Sequence, residues 1–124
     1  MNEGYFKEGK FDKGILYYKN GNKKYEGDYK KGYSDGKGIL FYENGNKLYK
    51  GYFKEGEFDK GILYHKNGNK LYEGNFKEYK CDGKGILFYE NGNKKYEGDF
   101  KEGRAKGKGI LYHKNGNKLF EGKF

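Results

Sequence analysis

Proline, tryptophan, valine, threonine and glutamine do not occur in this chain of 124 residues, and cysteine, methionine, serine, alanine and arginine occur once each. These absences exclude whole classes of chemistry. A single cysteine cannot close an intrachain disulfide, and Cys81 sits where sister segments carry Ser34 and Ala105, which reads as a small loop residue rather than a reactive thiol. Nucleophilic catalysis would need Ser34 or Cys81 beside a histidine, and neither neighbourhood offers a base or an oxyanion hole, so no enzyme is expected. No apolar run approaches the length that crosses a bilayer, and the opening MNEGYFKEGK has no hydrophobic segment that could act as a secretory signal, so the expected location is the cytoplasm. Positive charge is almost wholly lysine, with Arg104 the one guanidinium. Base readout favours Arg, Asn and Gln, so nucleic acid ranks last among acidic partners.

What is present is aromatic, glycine-rich and charged. Apolar residues make up 33% of the chain and glycine contributes 23 residues without a side chain, which argues against a conventional compact core. Bulk comes instead from 15 Tyr and 10 Phe. Disordered chains are poor in aromatics, so this composition predicts order despite its charge.

The order is repetitive. GILFYENGNK occupies residues 38–47 and returns at 85–94, and Asn-Gly dipeptides begin at Asn20, Asn44, Asn67, Asn91 and Asn115, at intervals of 24, 23, 24 and 24 residues. Residues 1–124 therefore read as one array of about five units of 23 or 24 residues plus a terminal strand. The connections KFDKG and EFDKG each lack one Gly, which accounts for the 23-residue interval.

Each unit reads as strand, tight turn, strand. Asn-Gly between aromatic segments is the strongest short hairpin signal, and a type I′ turn would require positive φ at both residues. In YEGDY the residues Tyr25, Gly27 and Tyr29 alternate with Glu26 and Asp28, putting aromatics on one face and charges on the other. A two-residue turn sets Leu16 opposite Tyr25 and Gly14 opposite Gly27, stacking glycines through the sheet with an aromatic ring free to lie over the bare backbone. A three-residue turn would shift the pairing by one. Five hairpins and the opening GYF make eleven strands. In an antiparallel meander the first and last then run the same way, so the fold class is all-β, an open single-layer sheet with two edges.

The segment YEGDFKEGRAKGKGILYHKNG, Tyr96 to Gly116, resembles the membrane occupation and recognition nexus (MORN) repeat, and the Tyr-x-Gly-x-aromatic strand recurs in five registers. The form NGNKxYEG is similar to a variant found in bacterial antitoxin-type proteins. The resemblance implies an elongated single-sheet scaffold that binds proteins and, in some members, anionic phospholipids.

Two candidate surfaces follow. The first is the aromatic face, Tyr25, Tyr29, Tyr49, Phe53, Tyr72, Phe76, Tyr96 and Phe100, expected to meet a protein partner as a broad apolar surface. The second is a basic rim at the Asn-Gly turns. There Lys19, Lys23, Lys24, Lys47, Lys66, Lys70, Lys94, Lys95, Lys114 and Lys118 stand against only Glu43 and Glu90 in a chain of net charge +9. That rim would attach the protein peripherally to anionic phospholipid headgroups. His65 and His113 occupy the position of Tyr18, Tyr42 and Tyr89, and two units separate them by about 19 Å, far beyond one ion's ligand shell. GRAKGKG lacks the spacing and the hydroxyl of a phosphate loop. No cofactor or metal is expected. The terminal segments, Gly4 to Lys7 and Phe120 to Phe124, are expected to pair with like ends as a homodimer.

Overall fold

The computed structural model describes residues 2–5, 12–30 and 32–124. Phe6 and Lys7, part of the expected opening edge, lie outside the described residues. The strands are β1 (Asn2–Tyr5), β2 (Asp12–Tyr17), β3 (Lys23–Lys30), β4 (Tyr33–Phe41), β5 (Lys47–Lys54), β6 (Glu57–Tyr64), β7 (Lys70–Lys77), β8 (Lys80–Phe88), β9 (Lys94–Lys101), β10 (Arg104–Tyr112) and β11 (Lys118–Lys123). They form one eleven-stranded antiparallel sheet in chain order, with β1 and β11 as its edges. The open all-β meander expected from the odd strand count is the fold observed.

Glycine meets glycine at every interface from β1 to β11. Gly4 faces Gly14, and Gly14 faces Gly27, which in turn faces Gly38. Gly51 stands between Gly38 and Gly61, Gly74 between Gly61 and Gly85, and Gly98 between Gly85 and Gly109. Leu16 faces Tyr25 as expected, but the turn that produces this register is not the expected one.

The Asn-Gly turn is corrected from a two-residue type I′ turn to a three-residue loop. The Tyr18 N–H donates to the Asn22 carbonyl at 2.8 Å and the Gly21 N–H donates to the Tyr18 carbonyl at 3.0 Å, enclosing Lys19, Asn20 and Gly21. Gly21 has φ +92°, whereas Asn20 is not among the residues of positive φ. Asn20 acts through its side chain instead, Oδ1 accepting the Asn22 N–H at 2.9 Å, the geometry of an Asx turn. Such a loop pairs Tyr17 with Lys23; one extra residue, Lys24, bulges before Leu16 meets Tyr25 and restores the glycine register. All five hairpins repeat this compensation.

Type I′ geometry appears at the other rim. Glu55 and Gly56 (φ 50° and 84°) join paired Lys54 and Glu57, and Glu102 and Gly103 (φ 51° and 85°) join Lys101 and Arg104. Tyr79 takes the glycine position with φ 64°. Past these turns the long connections bulge by two residues, between Ala105 and Gly109 for example, and the short EFDKG by one, between Phe58 and Gly61. The missing glycine is thus taken from the bulge, and the glycine ladder stays in step.

Candidate functional site

Seven of the eight residues of the expected aromatic binding face are the core of the molecule. Tyr25, Tyr49, Tyr72, Tyr96, Phe53, Phe76 and Phe100 are 0 to 7% exposed, so a partner laid on this face does not reach their rings. The reason lies in the glycine ladder. Tyr25 lies over Gly38, Tyr49 over Gly61, Tyr72 over Gly85 and Tyr96 over Gly109, each ring occupying the space a Cβ would need. With no side chain in between, rings two strands apart touch edge to face: Tyr25 and Phe53 at 5.4 Å, Tyr49 and Phe76 at 5.6 Å, Tyr72 and Phe100 at 5.1 Å. Leu40, Leu63 and Leu87 fill in from the intervening strands.

Each buried tyrosine hydroxyl donates to the carbonyl three residues on, Tyr25 to Asp28 at 2.9 Å and Tyr72 to Asn75 at 2.8 Å. Burial pushes the hydroxyls of Tyr25, Tyr49 and Tyr72 well above the ordinary phenol range, because ionisation would place a charge among aromatic rings. Tyr29, the eighth residue, is half-buried, and its hydroxyl is buried without a hydrogen-bond partner among the described residues. Its position holds Phe53, Phe76 and Phe100 in other units, where no hydroxyl needs one. Phe58 and Cys81 stand in equivalent places, opposite Phe53 and Phe76. Burial pushes the Cys81 thiol up to about 11, which leaves it protonated and inert at neutral pH.

The Asn-Gly rim is exposed, and part of its charge is answered within the sheet. Lys23, Lys70, Lys94 and Lys118 pair with Glu26, Glu73, Glu97 and Glu121 at 3.1 to 3.4 Å. Exposed pairs of this kind add little stability, but they cancel field. Lys24 and Lys95 sit 5.7 Å from the Tyr18 and Tyr89 ring centres. Lys19, Lys47, Lys66 and Lys114 have no ion pair among the described residues. Successive turns are stitched together: Nδ2 of Asn20 and of Asn22 both donate to the Glu43 carbonyl, at 3.0 and 2.8 Å.

His65 and His113 make the same backbone turn bonds as Tyr18, Tyr42 and Tyr89, so the equivalence read from the sequence holds. The tyrosines use their hydroxyls to reach the next unit, Tyr42 donating to the Tyr64 carbonyl at 2.7 Å. His65 has no such reach, and its Nε2 is buried without a partner among the described residues.

The opposite face was not singled out by the sequence reading. There Ile15, Glu26, Ile39, Lys50, Ile62, Glu73, Ile86, Glu97, Ile110 and Glu121 follow one another as cross-strand partners from β2 to β11. A second row brings Lys13 opposite Asp28 and Lys37 opposite Tyr52. Across β2 to β6 these rows enclose a groove of about 1250 Å³ with Ile15, Ile39 and Ile62 in its lining. A smaller hollow of about 380 Å³ lies between β9 and β11, lined by Glu97, Lys108, Ile110, Glu121 and Lys123. The signal was available: every isoleucine of the chain stands in a Gly-Ile-Leu triplet, one residue out of phase with the leucine of the aromatic face.

A family model described as MORN repeat matches residues 25–47, 72–94 and 96–118, which together make up more than half of the chain. The stretch between the first two matches holds the variant triplet YKGYF and the shortened connection EFDKG. No curated protein matches the chain.

Proposed function

Because this chain belongs to the MORN repeat family, whose repeats are binding modules for proteins or membranes, we propose that it is a non-enzymatic scaffold that holds a protein partner against one face of its open sheet. The observation that carries this reading is the groove across β2 to β6, about 1250 Å³ and lined by isoleucine flanked by lysine, glutamate and tyrosine. An apolar floor with polar walls is the pattern of a protein-binding surface. The aromatic side chains, buried as they are, serve to keep this face rigid and in register.

Peripheral attachment to anionic phospholipid draws on about 1 kcal/mol per lysine near the surface. Four of the rim lysines already face a glutamate of their own strand, which weakens that attraction. Salt separates the two readings. The immobilised chain is expected to retain a protein at about 0.5 M salt, where exposed charges are screened within a few ångströms. Sedimentation with phosphatidylserine vesicles is expected to be weak and confined to low salt. Strong vesicle binding, with no protein retained once salt is raised, would overturn the proposal in favour of the lipid surface.

A further inference from the structure

We propose that the groove across β2 to β6 takes an extended acidic segment of a protein partner, and that Lys50 and Tyr52 set this preference. The proposal rests on the protein-binding reading above and names the chemistry of what is bound.

Four lysines line the groove, Lys13, Lys37, Lys50 and Lys60, against two carboxylates, Glu26 and Asp28. Both carboxylates are engaged: Glu26 pairs with Lys23 at 3.2 Å, and Asp28 accepts the Lys37 backbone N–H at 3.2 Å. None of the four lysines has an ion pair among the described residues, and all four are exposed. The groove therefore presents positive charge around an isoleucine floor, and the complement is an acidic chain with apolar side chains between its carboxylates.

Lys13, Lys37 and Lys60 each precede a Gly-Ile-Leu triplet, as a lysine does in every unit, and the fourth lysine comes from one departure from the repeat. Where the other triplets read YEGDY, YEGNF, YEGDF and FEGKF, the second reads YKGYF, so Lys50 replaces a glutamate and Tyr52 an aspartate, asparagine or lysine. Tyr52 is 46% exposed, and the Lys37 ammonium lies 5.8 Å from the centre of its ring. That contact holds a lysine at the groove wall. At the far end of the sheet Lys108 and Lys123 are matched by Glu97 and Glu121 in the lining of the hollow, so the excess of lysine lies at the β2–β6 end and directs an acidic segment there. Five strands at about 4.8 Å span roughly 19 Å, the length of about six extended residues.

The variant Lys50→Glu with Tyr52→Asp converts YKGYF to YEGDF, the sequence already folded at Tyr96 to Phe100, so the sheet is retained while the groove loses its charge. A library of random twelve-residue peptides displayed on phage is panned on the unaltered chain, and each enriched peptide is measured on both proteins by fluorescence anisotropy. Enriched peptides are expected to be acidic and to bind the double variant at least tenfold more weakly, with matching circular dichroism spectra for the two proteins. Enrichment of neutral or basic peptides, or affinities within twofold on both proteins, would overturn the proposal. Phosphatidylserine vesicles that bind the unaltered chain and not the variant, with no peptide enriched, would assign the groove to lipid and overturn it as well. A protein retained equally by both chains would sink this proposal alone; no retained protein and no enriched peptide would sink the reading beneath it.

Discussion

Gly51→Ala is expected to destabilise the sheet by about 3 kcal/mol or more, enough to unfold a marginal domain. A Cβ on Gly51 would stand 2.5 Å from the Gly61 Cα and 2.5 Å from the Lys60 carbonyl oxygen. Both are backbone, fixed by the ladder that joins β5 to β6, so nothing can swing aside and the strands must part. Gly92→Ala is the comparison. Gly92 sits in an Asn-Gly loop at φ +94° with no atom within 4 Å of a Cβ, so alanine there costs only the left-handed backbone, about 1 to 2 kcal/mol. Urea denaturation of the two variants measures the difference. Equal losses would mean that the glycines are selected for backbone freedom and not for close approach.

Tyr72→Ala carries the next largest effect, about 3 to 5 kcal/mol, the usual range for deleting a buried aromatic ring. The ring covers Gly85, meets Phe76 at 5.0 Å and Phe100 at 5.1 Å, and is fully buried, so its loss opens a hole that a one-layer sheet has no second layer to fill. Tyr72→Phe keeps the ring and removes only the hydroxyl that donates to Asn75, and should cost about 1 kcal/mol. Thermal unfolding of the pair separates ring from hydroxyl. A Tyr72→Phe loss as large as that of Tyr72→Ala would show that the hydrogen bond, and not the covering of glycine, holds the core.

These two sites also show why part of the molecule was legible in the sequence. The glycine ladder and the ring over it follow from spacing: Tyr25 and Gly27 share a face because a strand has a period of two, and the hairpin fixes which glycine lies opposite. The turn was misread because Asn20 could act through either its backbone or its side chain, and only the geometry distinguishes them. The register nevertheless came out as expected, because the bulge at Lys24 offsets the longer loop.

The burial of the aromatic face was not legible, and the reason is specific. A period-two pattern says that Tyr25 and Phe53 lie on the same side of the sheet, but not that the glycines between them let rings two strands apart come within 5.4 Å. Once the rings fill that gap they are a core. The surface proposed to bind a partner is then the other side, where the isoleucines, read only as part of a repeated triplet, form a row. Lys50 and Tyr52 were visible as a variant of the triplet. Their meaning depends on sharing a groove with Lys37 and Lys60, which contiguity in sequence does not reveal.

The sheet offers an unusually direct test of which face meets a partner, because its two faces differ in residue type. All five isoleucines lie in the cross-strand row of the groove face, whereas Leu16, Leu40, Leu63, Leu87 and Leu111 pack against the aromatic core. Methyl-labelled protein titrated with the protein retained on the immobilised chain, and followed by nuclear magnetic resonance, therefore reads the two faces in separate sets of signals. The Ile15, Ile39 and Ile62 methyls are expected to shift or broaden first while the methyls of Leu16, Leu40, Leu63, Leu87 and Leu111 stay in place. A response from those five leucines while the isoleucines remain unchanged would contradict the account and put the partner on the aromatic side.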